Sequence, residues 1–453
     1  MSPHPLNAEP GTFSARVHQM LTSEDDGRVC RDIPESACHE QPRNFLIHVF
    51  SLSATKTGDG LADPKLVLSW LLSSVGAPAF VIGLLVPIRE AGALLPQLFT
   101  AAAIRSLSQR KWVWAAGSLI QGLAILAIGV AMLMLSGAAA GWTAIVLLTI
   151  FAVARSVCSV SYKDVLGKTV SKATRGTATG SAGTVSALLV LGFGVLLASG
   201  VLEKSVQVIV GALLVAGGLW VFSAALFTTL AEEAGATEGG GNPIGVVVEQ
   251  LSLLHKDQQL SRFIAVRGLL TATALAPPYI VAMSGQSGEA GLGSLGAFVV
   301  ASALASVVSS YAWGRLSDKS SRRVLALSGA IAAVVFAAAA EVALFDGASA
   351  WQSSYVLSVL LFVLMLAYQG VRLGRATHIV DMADASKRGA YTAISNTAVG
   401  ILLISGGLFG FIAEHAGLGI VFTVFAVMSI AALVLSLGLH EVQGSDSETE
   451  NAT

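Results

Sequence analysis

Charge is scarce in this chain. Only 12% of its 453 residues are charged, about half the roughly 25% of a soluble domain. A water-facing surface cannot be assembled from so little, which excludes an ordinary soluble enzyme and a disordered scaffold. Net charge is missing too: 27 Lys and Arg against 28 Asp and Glu leave −1, so no basic field draws nucleic acid. Cysteine is nearly absent. Cys30, Cys38 and Cys158 build no disulfide framework, and Cys30, Cys38 and His39 fit no zinc spacing, so neither metal nor cofactor is expected. The polar first forty-two residues hold no apolar run that would serve as a cleaved signal peptide.

What the chain has instead is apolar bulk. Hydrophobic residues make up 54% of it, mean hydropathy is +0.72, and its 47 glycines suit close helix packing in lipid. A spanning helix needs about 20 mostly apolar residues. Twelve such segments are expected, at 43–73, 78–103, 112–136, 142–161, 180–201, 206–230, 260–284, 290–313, 324–345, 352–374, 390–413 and 418–440. The organisation predicted is a polar tail (1–42), a six-helix bundle (43–230), a glycine-rich acidic linker (231–259), a second six-helix bundle (260–440) and an acidic tail (441–453). Lys and Arg gather in alternate loops, at Arg105, Arg110 and Lys111, at Lys163 to Arg175, at Arg315 to Arg323, and at Arg372 to Arg388. The opposite loops carry Lys204 beside Glu203. Positive charge is retained on the cytoplasmic side, which puts both termini in the cytoplasm and the chain in a cytoplasmic (inner) membrane as a multi-pass protein.

Several charges fall at membrane depth. Lys56, Asp59 and Asp63 lie within about 60° of one another on a helical wheel, with Lys65 expected on the opposite side. Arg89 and Glu90 sit near the middle of the second segment. Central charges cost about 2.5–3.5 kcal/mol each, so Lys56, Asp59, Arg89 and Glu90 together cost on the order of 10–14 kcal/mol unless offset by pairing or by a wet cavity. One reading is a structural cluster, Lys56 with Asp59 or Glu90 and Arg89 with Asp59 or Asp63. The other makes a carboxylate a proton carrier: Asp59 first, because Gly58 and Gly60 leave room beside it, then Glu90, with Asp63 on the same face. Lys56, Arg89, Arg155 and Arg267 are candidates for holding an anionic group, with Tyr368 and Gln369 as further polar contacts. Arg372 and Arg375 read as membrane anchors, and His378 as a solvated histidine near the mouth.

The halves repeat. Arg175-Gly176-Thr177-Ala178 recurs as Arg388-Gly389-Ala390-Tyr391, and Phe45 with Ser53-Ala54-Thr55 as Phe263 with Thr271-Ala272-Thr273. After the eighth segment, Gly314-Arg315-Leu316-Ser317-Asp318-Lys319-Ser320-Ser321-Arg322-Arg323 resembles the G-x-x-x-D-[RK]-x-G-[RK]-[RK] loop of the major facilitator superfamily, departing at Ser321. The matching first-half loop has Gln109 in place of the acid. The resemblance implies an all-α polytopic membrane protein with twelve transmembrane helices in two pseudo-symmetric six-helix bundles. It also implies a cytoplasmic gate at Gly314, Asp318, Lys319, Arg322 and Arg323, and a cavity lined by segments one, four, seven and ten.

Enzyme motifs miss. Gly167-Lys168-Thr169 has Tyr162 where a P-loop needs glycine, and the two His-Glu pairs lack a second histidine. The function this resemblance implies is secondary transport by alternating access. The cargo is expected to be a small anionic or zwitterionic solute, driven by protons or another ion across the lipid bilayer, by a monomer with no nucleic-acid partner. Two alternatives stay open: proton-driven efflux of an amphipathic compound, and a non-transporting sensor or assembly factor on the same scaffold.

Overall fold

Apolar stretches that must satisfy their own backbone in lipid can only coil, and the computed structural model is helical throughout its described residues apart from turns. It describes residues 35–97, 106–202, 205–235, 257–286, 292–344, 354–383 and 388–443, plus isolated positions nearby. The first bundle holds α1 (Glu35–Leu61), α2 (Val67–Ser74), α3 (Ala79–Leu94), α4 (Lys111–Met134), α5 (Gly137–Thr169), α6 (Lys172–Ala198) and α7 (Val206–Thr228). The second holds α8 (Gln258–Leu269), α9 (Ala272–Leu275), α10 (Pro277–Gln286), α11 (Leu292–Lys319), α12 (Ser321–Leu344), α13 (Ser354–Met382), α14 (Arg388–Ser405), α15 (Leu408–Ala416) and α16 (Leu418–Leu437). Nine helices among the described residues are long and apolar enough to cross a membrane, and a bent pair within α11 makes up to ten. The remaining two predicted segments fall short because α1 carries Lys56 and Asp59 and α3 is only 16 residues long.

Proline and glycine explain where segments break. The first segment is helical to Leu61, turns through Asp63-Pro64-Lys65, and resumes at Val67, because the residue before a proline is pushed out of the helical region. The seventh breaks before Pro277, the eleventh at Gly406-Gly407. At its other end α1 begins at Glu35, inside the stretch predicted as a tail. Gln41, Asn44 and His48 are buried there: Asn44 exchanges hydrogen bonds with Ala231, and His48 Nε2 lies 2.8 Å from Thr169 Oγ1.

Within each bundle the tightest seam is built from small residues. A Cβ at Gly122 of α4 would come within 2.8 Å of the Gly217 carbonyl on α7, and one at Gly329 of α12 within 3.3 Å of the Ser429 carbonyl on α16. Backbones approach that closely only without side chains between them.

The bundles meet along α6 and α11, and along α3 with α14 and α15. At the end remote from the basic loops the seam is shut. A Cβ at Gly296 would lie 2.3 Å from the Ala198 nitrogen, and one at Gly83 2.6 Å from Gly410 Cα. Phe80 N donates to Glu414 Oε2 there, at 3.1 Å. Toward the basic end, Gly176 and Gly180 of α6 and Gly314 of α11 would meet no atom within 4 Å. The bundles thus close at one end, while at the basic end these glycines stand clear of neighbours among the described residues.

Candidate functional site

The central polar space, about 450 Å³, lies between the bundles and is lined by α1, α5, α6, α11 and α13. Asp59 of α1 is its hub. Oδ1 accepts from Arg89 Nη2 of α3 at 3.0 Å, and Oδ2 lies 2.6 Å from Arg155 Nη2 of α5. One carboxylate therefore holds two guanidiniums from two other segments. The expected Arg89–Asp59 pair forms, and Arg155 completes it. Gly58 and Gly60 do not leave open room, since the Trp220 ring packs where a Cβ of Gly58 would stand and Val190 where one of Gly60 would.

Lys56 donates to the Thr179 carbonyl at 3.1 Å and lines the cavity; it forms neither predicted ion pair. Lys65 does not face away. Because α1 ends at Leu61, the wheel no longer applies. Lys65 Nζ donates to Tyr368 Oη at 2.7 Å across the two bundles and stands 3.5 Å from Glu90 Oε1. Asp63, on the same turn, accepts from the Lys65 backbone N–H at 2.6 Å and makes no ion pair among the described residues. Gln369 Nε2 donates to Ser306 Oγ at 3.1 Å, and its Oε1 faces Arg372 Nη1 at 3.4 Å.

Arg267 of α8 is buried, 6% exposed. Its Nη atoms donate to Ser395 Oγ and, at 3.2 Å, to Asn396 Oδ1 of α14. With Glu90, Tyr368, Arg372 and Arg375 it lines a small annex sharing Tyr368 and Arg372 with the main cavity. Arg372 and Arg375 are therefore cavity residues, not membrane anchors. Six basic side chains (Lys56, Lys65, Arg155, Arg267, Arg372 and Arg375) face three carboxylates (Asp59, Asp63 and Glu90) around these two spaces. A third space of about 280 Å³, bounded by Ser309, Trp313, Gln369, Arg372 and Leu373, extends the cavity along α11 and α13.

At the basic end, Asp318 and Lys319 of the gate motif are exposed. Arg322 Nε is 3.5 Å from Glu441 Oε2, and Arg323 N donates to Ser320 Oγ at 3.1 Å. Ser321, where the motif has glycine, is used: its N and Oγ donate to Gln443 Oε1, and Oγ lies 2.9 Å from Nδ1 of His378. His378 is buried and stacked on Phe263 rather than solvated. Sequence reasoning missed a matching pair of acids. Glu232, just after α7, accepts the Arg110 and Lys111 N–H groups at the start of α4 and pairs with Lys168 Nζ at 3.0 Å. Glu441, just after α16, accepts from Ser320 Oγ at 2.6 Å before the start of α12. A free helix N-terminus wants an anion: Glu232 takes the N–H groups at the start of α4 directly, whereas Glu441 lies beside the start of α12 through Ser320. An acid just past the sixth and twelfth segments was the available signal.

Helical bundles with nine to ten described helices apolar enough to span, set around a basic cavity, make this a multi-pass membrane protein. Residues 270–452 match the model of a family described as Major Facilitator Superfamily. Searched by sequence, curated proteins give no match. In solved structures, the nucleoside transporter NupG superposes with TM-score 0.62 at 14% identity, over 87% of this chain and 98% of that one. The xylose transporter XylE from E. coli, in an inward open conformation, gives 0.62 at 12%, over 88% and 97%. A POT family transporter in complex with a thioalcohol-conjugated peptide gives 0.64 at 11%, over 90% and 97%. The family model thus matches the second half of the chain, and the fold is shared with these structures over nearly the whole of it.

Proposed function

We propose that the chain is a secondary transporter that moves a small anionic solute across the membrane by alternating access. One observation carries the reading: the excess of basic over acidic side chains around the cavity. Cations held at membrane depth without enough partners are functional by default, and a recessed site of one sign concentrates the opposite ion. The basic end is taken as cytoplasmic, so bundles in close contact at the far end read as an inward-facing state. The neighbouring folds belong to transporters of nucleosides, xylose and peptides, which supports the transport class.

Asp63 is the proton carrier in this reading, ahead of Asp59 and Glu90. Both Asp59 oxygens are taken by guanidiniums, and Glu90 has Lys65. Asp63 has one backbone N–H, lines the cavity, and sits in the turn between α1 and α2. The test is uptake into proteoliposomes of labelled dicarboxylates, phosphate esters, amino acids and neutral sugars, with and without an imposed proton gradient. Anion uptake that is faster with acid outside, with Asp63→Asn retaining counterflow but losing the acceleration, is the expected result. Counterflow of neutral sugars alone would overturn the anion reading. Absence of counterflow for every class would return the chain to the sensor reading.

A further inference from the structure

The annex differs in kind from the cavity it joins. It measures about 30 Å³, room for a pair of waters or the oxygens of one anionic head group. Three arginines line it, from α8 and α13, and its single carboxylate, Glu90, already stands beside Lys65. Arg267 is the most buried of the three. Its two Nη groups are held by Ser395 and Asn396, both uncharged. Its Nε–H, buried, has no hydrogen-bond partner among the described residues. A buried donor on a cation with no carboxylate partner among the described residues is costly, and it is kept in the wall of the annex.

We propose that Arg267, Arg372 and Arg375 form an oxyanion subsite that takes the carboxylate or phosphate head group of the substrate, whose body lies in the main cavity. The inference rests on the transport reading and narrows it to solutes bearing a head group with at least two oxygens. Nε and an Nη of one guanidinium present parallel N–H donors that match two oxygens of one group. Arg267 is the anchor because α14 fixes its plane. Arg372, exposed at the junction of annex and cavity, closes on the anion from the other side. Ser395 and Asn396 are positioning residues: they hold Arg267 and do not line the annex.

The experiment is calorimetric titration of the purified full-length chain in detergent with inorganic phosphate, sulfate, succinate and chloride. The variants are Arg267→Lys, Arg267→Gln and, as a charge control, the exposed Lys163→Gln. Expected is saturable binding of succinate or of phosphate, whichever head group the annex fits, unchanged in Lys163→Gln. In Arg267→Lys it weakens by about ten- to a hundredfold, because lysine keeps the charge and loses the fork. Chloride, a single-atom anion, should be no weaker in Arg267→Lys than in wild type. Equal oxyanion affinity in wild type and Arg267→Lys, or chloride weakened in step with the oxyanions, would overturn the subsite. So would wild type that binds none of the three oxyanions. Thermal unfolding of each variant removes misfolded protein from the comparison. Because binding is read without transport, oxyanion binding with no counterflow would sink the transport reading and leave the subsite standing.

Discussion

Replacing Asp59 by asparagine removes one negative charge and leaves Arg89 and Arg155 facing each other with Lys56 close by. At about 3 Å and an effective dielectric near 20, each lost pair is worth roughly 5 kcal/mol of gross Coulomb energy. Net cost is smaller, because the unpaired guanidiniums recover water through the open cavity: the side chains of Asp59, Arg89 and Arg155 are 24%, 14% and 32% exposed. Breaking a buried pair costs about 3–5 kcal/mol, and this partial solvation reduces it to about 2–3 kcal/mol. Asp63→Asn should cost under about 1 kcal/mol, since an amide oxygen also accepts the Lys65 N–H. Cys158, buried one turn from Arg155, supplies the assay. With Cys30 and Cys38 changed to serine it is the only thiol of the three, and its labelling by a thiol-reactive dye on heating reports the opening of α5. Asp59→Asn should shift the labelling transition to markedly lower temperature than Asp63→Asn. Equal transitions, or a larger shift for Asp63→Asn, would refute the assignment of Asp59 as structural hub and Asp63 as carrier.

Two further outcomes follow from the geometry. Gly296→Val drives a side chain against the Ala198 backbone and should wedge the closed end apart. Spin-label distances between α6 and α11 at that end should lengthen, while Gly314→Ala, with no atom nearby, leaves them unchanged. Glu232→Ala strips the start of α4 of its acceptor and leaves Lys168 without its acid. That should cost about 1–2 kcal/mol, seen as a lower thermal midpoint, and Glu441→Ala should cost less because its side chain is 32% exposed.

Hydropathy and loop charge are local, additive properties, so a membrane protein of many spans and a cluster of charges within its apolar segments could be read directly from the residues. Which charge meets which could not. Asp59 is 30 residues from Arg89, and Lys65 is 303 from Tyr368; such pairings depend on helix rotation and on how two bundles seat against each other. Pro64 was visible, yet its effect on Lys65 was not, because a wheel assumes an unbroken helix and the turn after Leu61 resets the direction of every later side chain. Arg372 and Arg375 read as anchors from their place near a loop, and only the seating of the two bundles made them cavity walls. Composition and periodicity determined that charge would be buried in an apolar fold. Tertiary packing decided which of those charges were neutralised by neighbours and which, like Arg267, were left to meet something else.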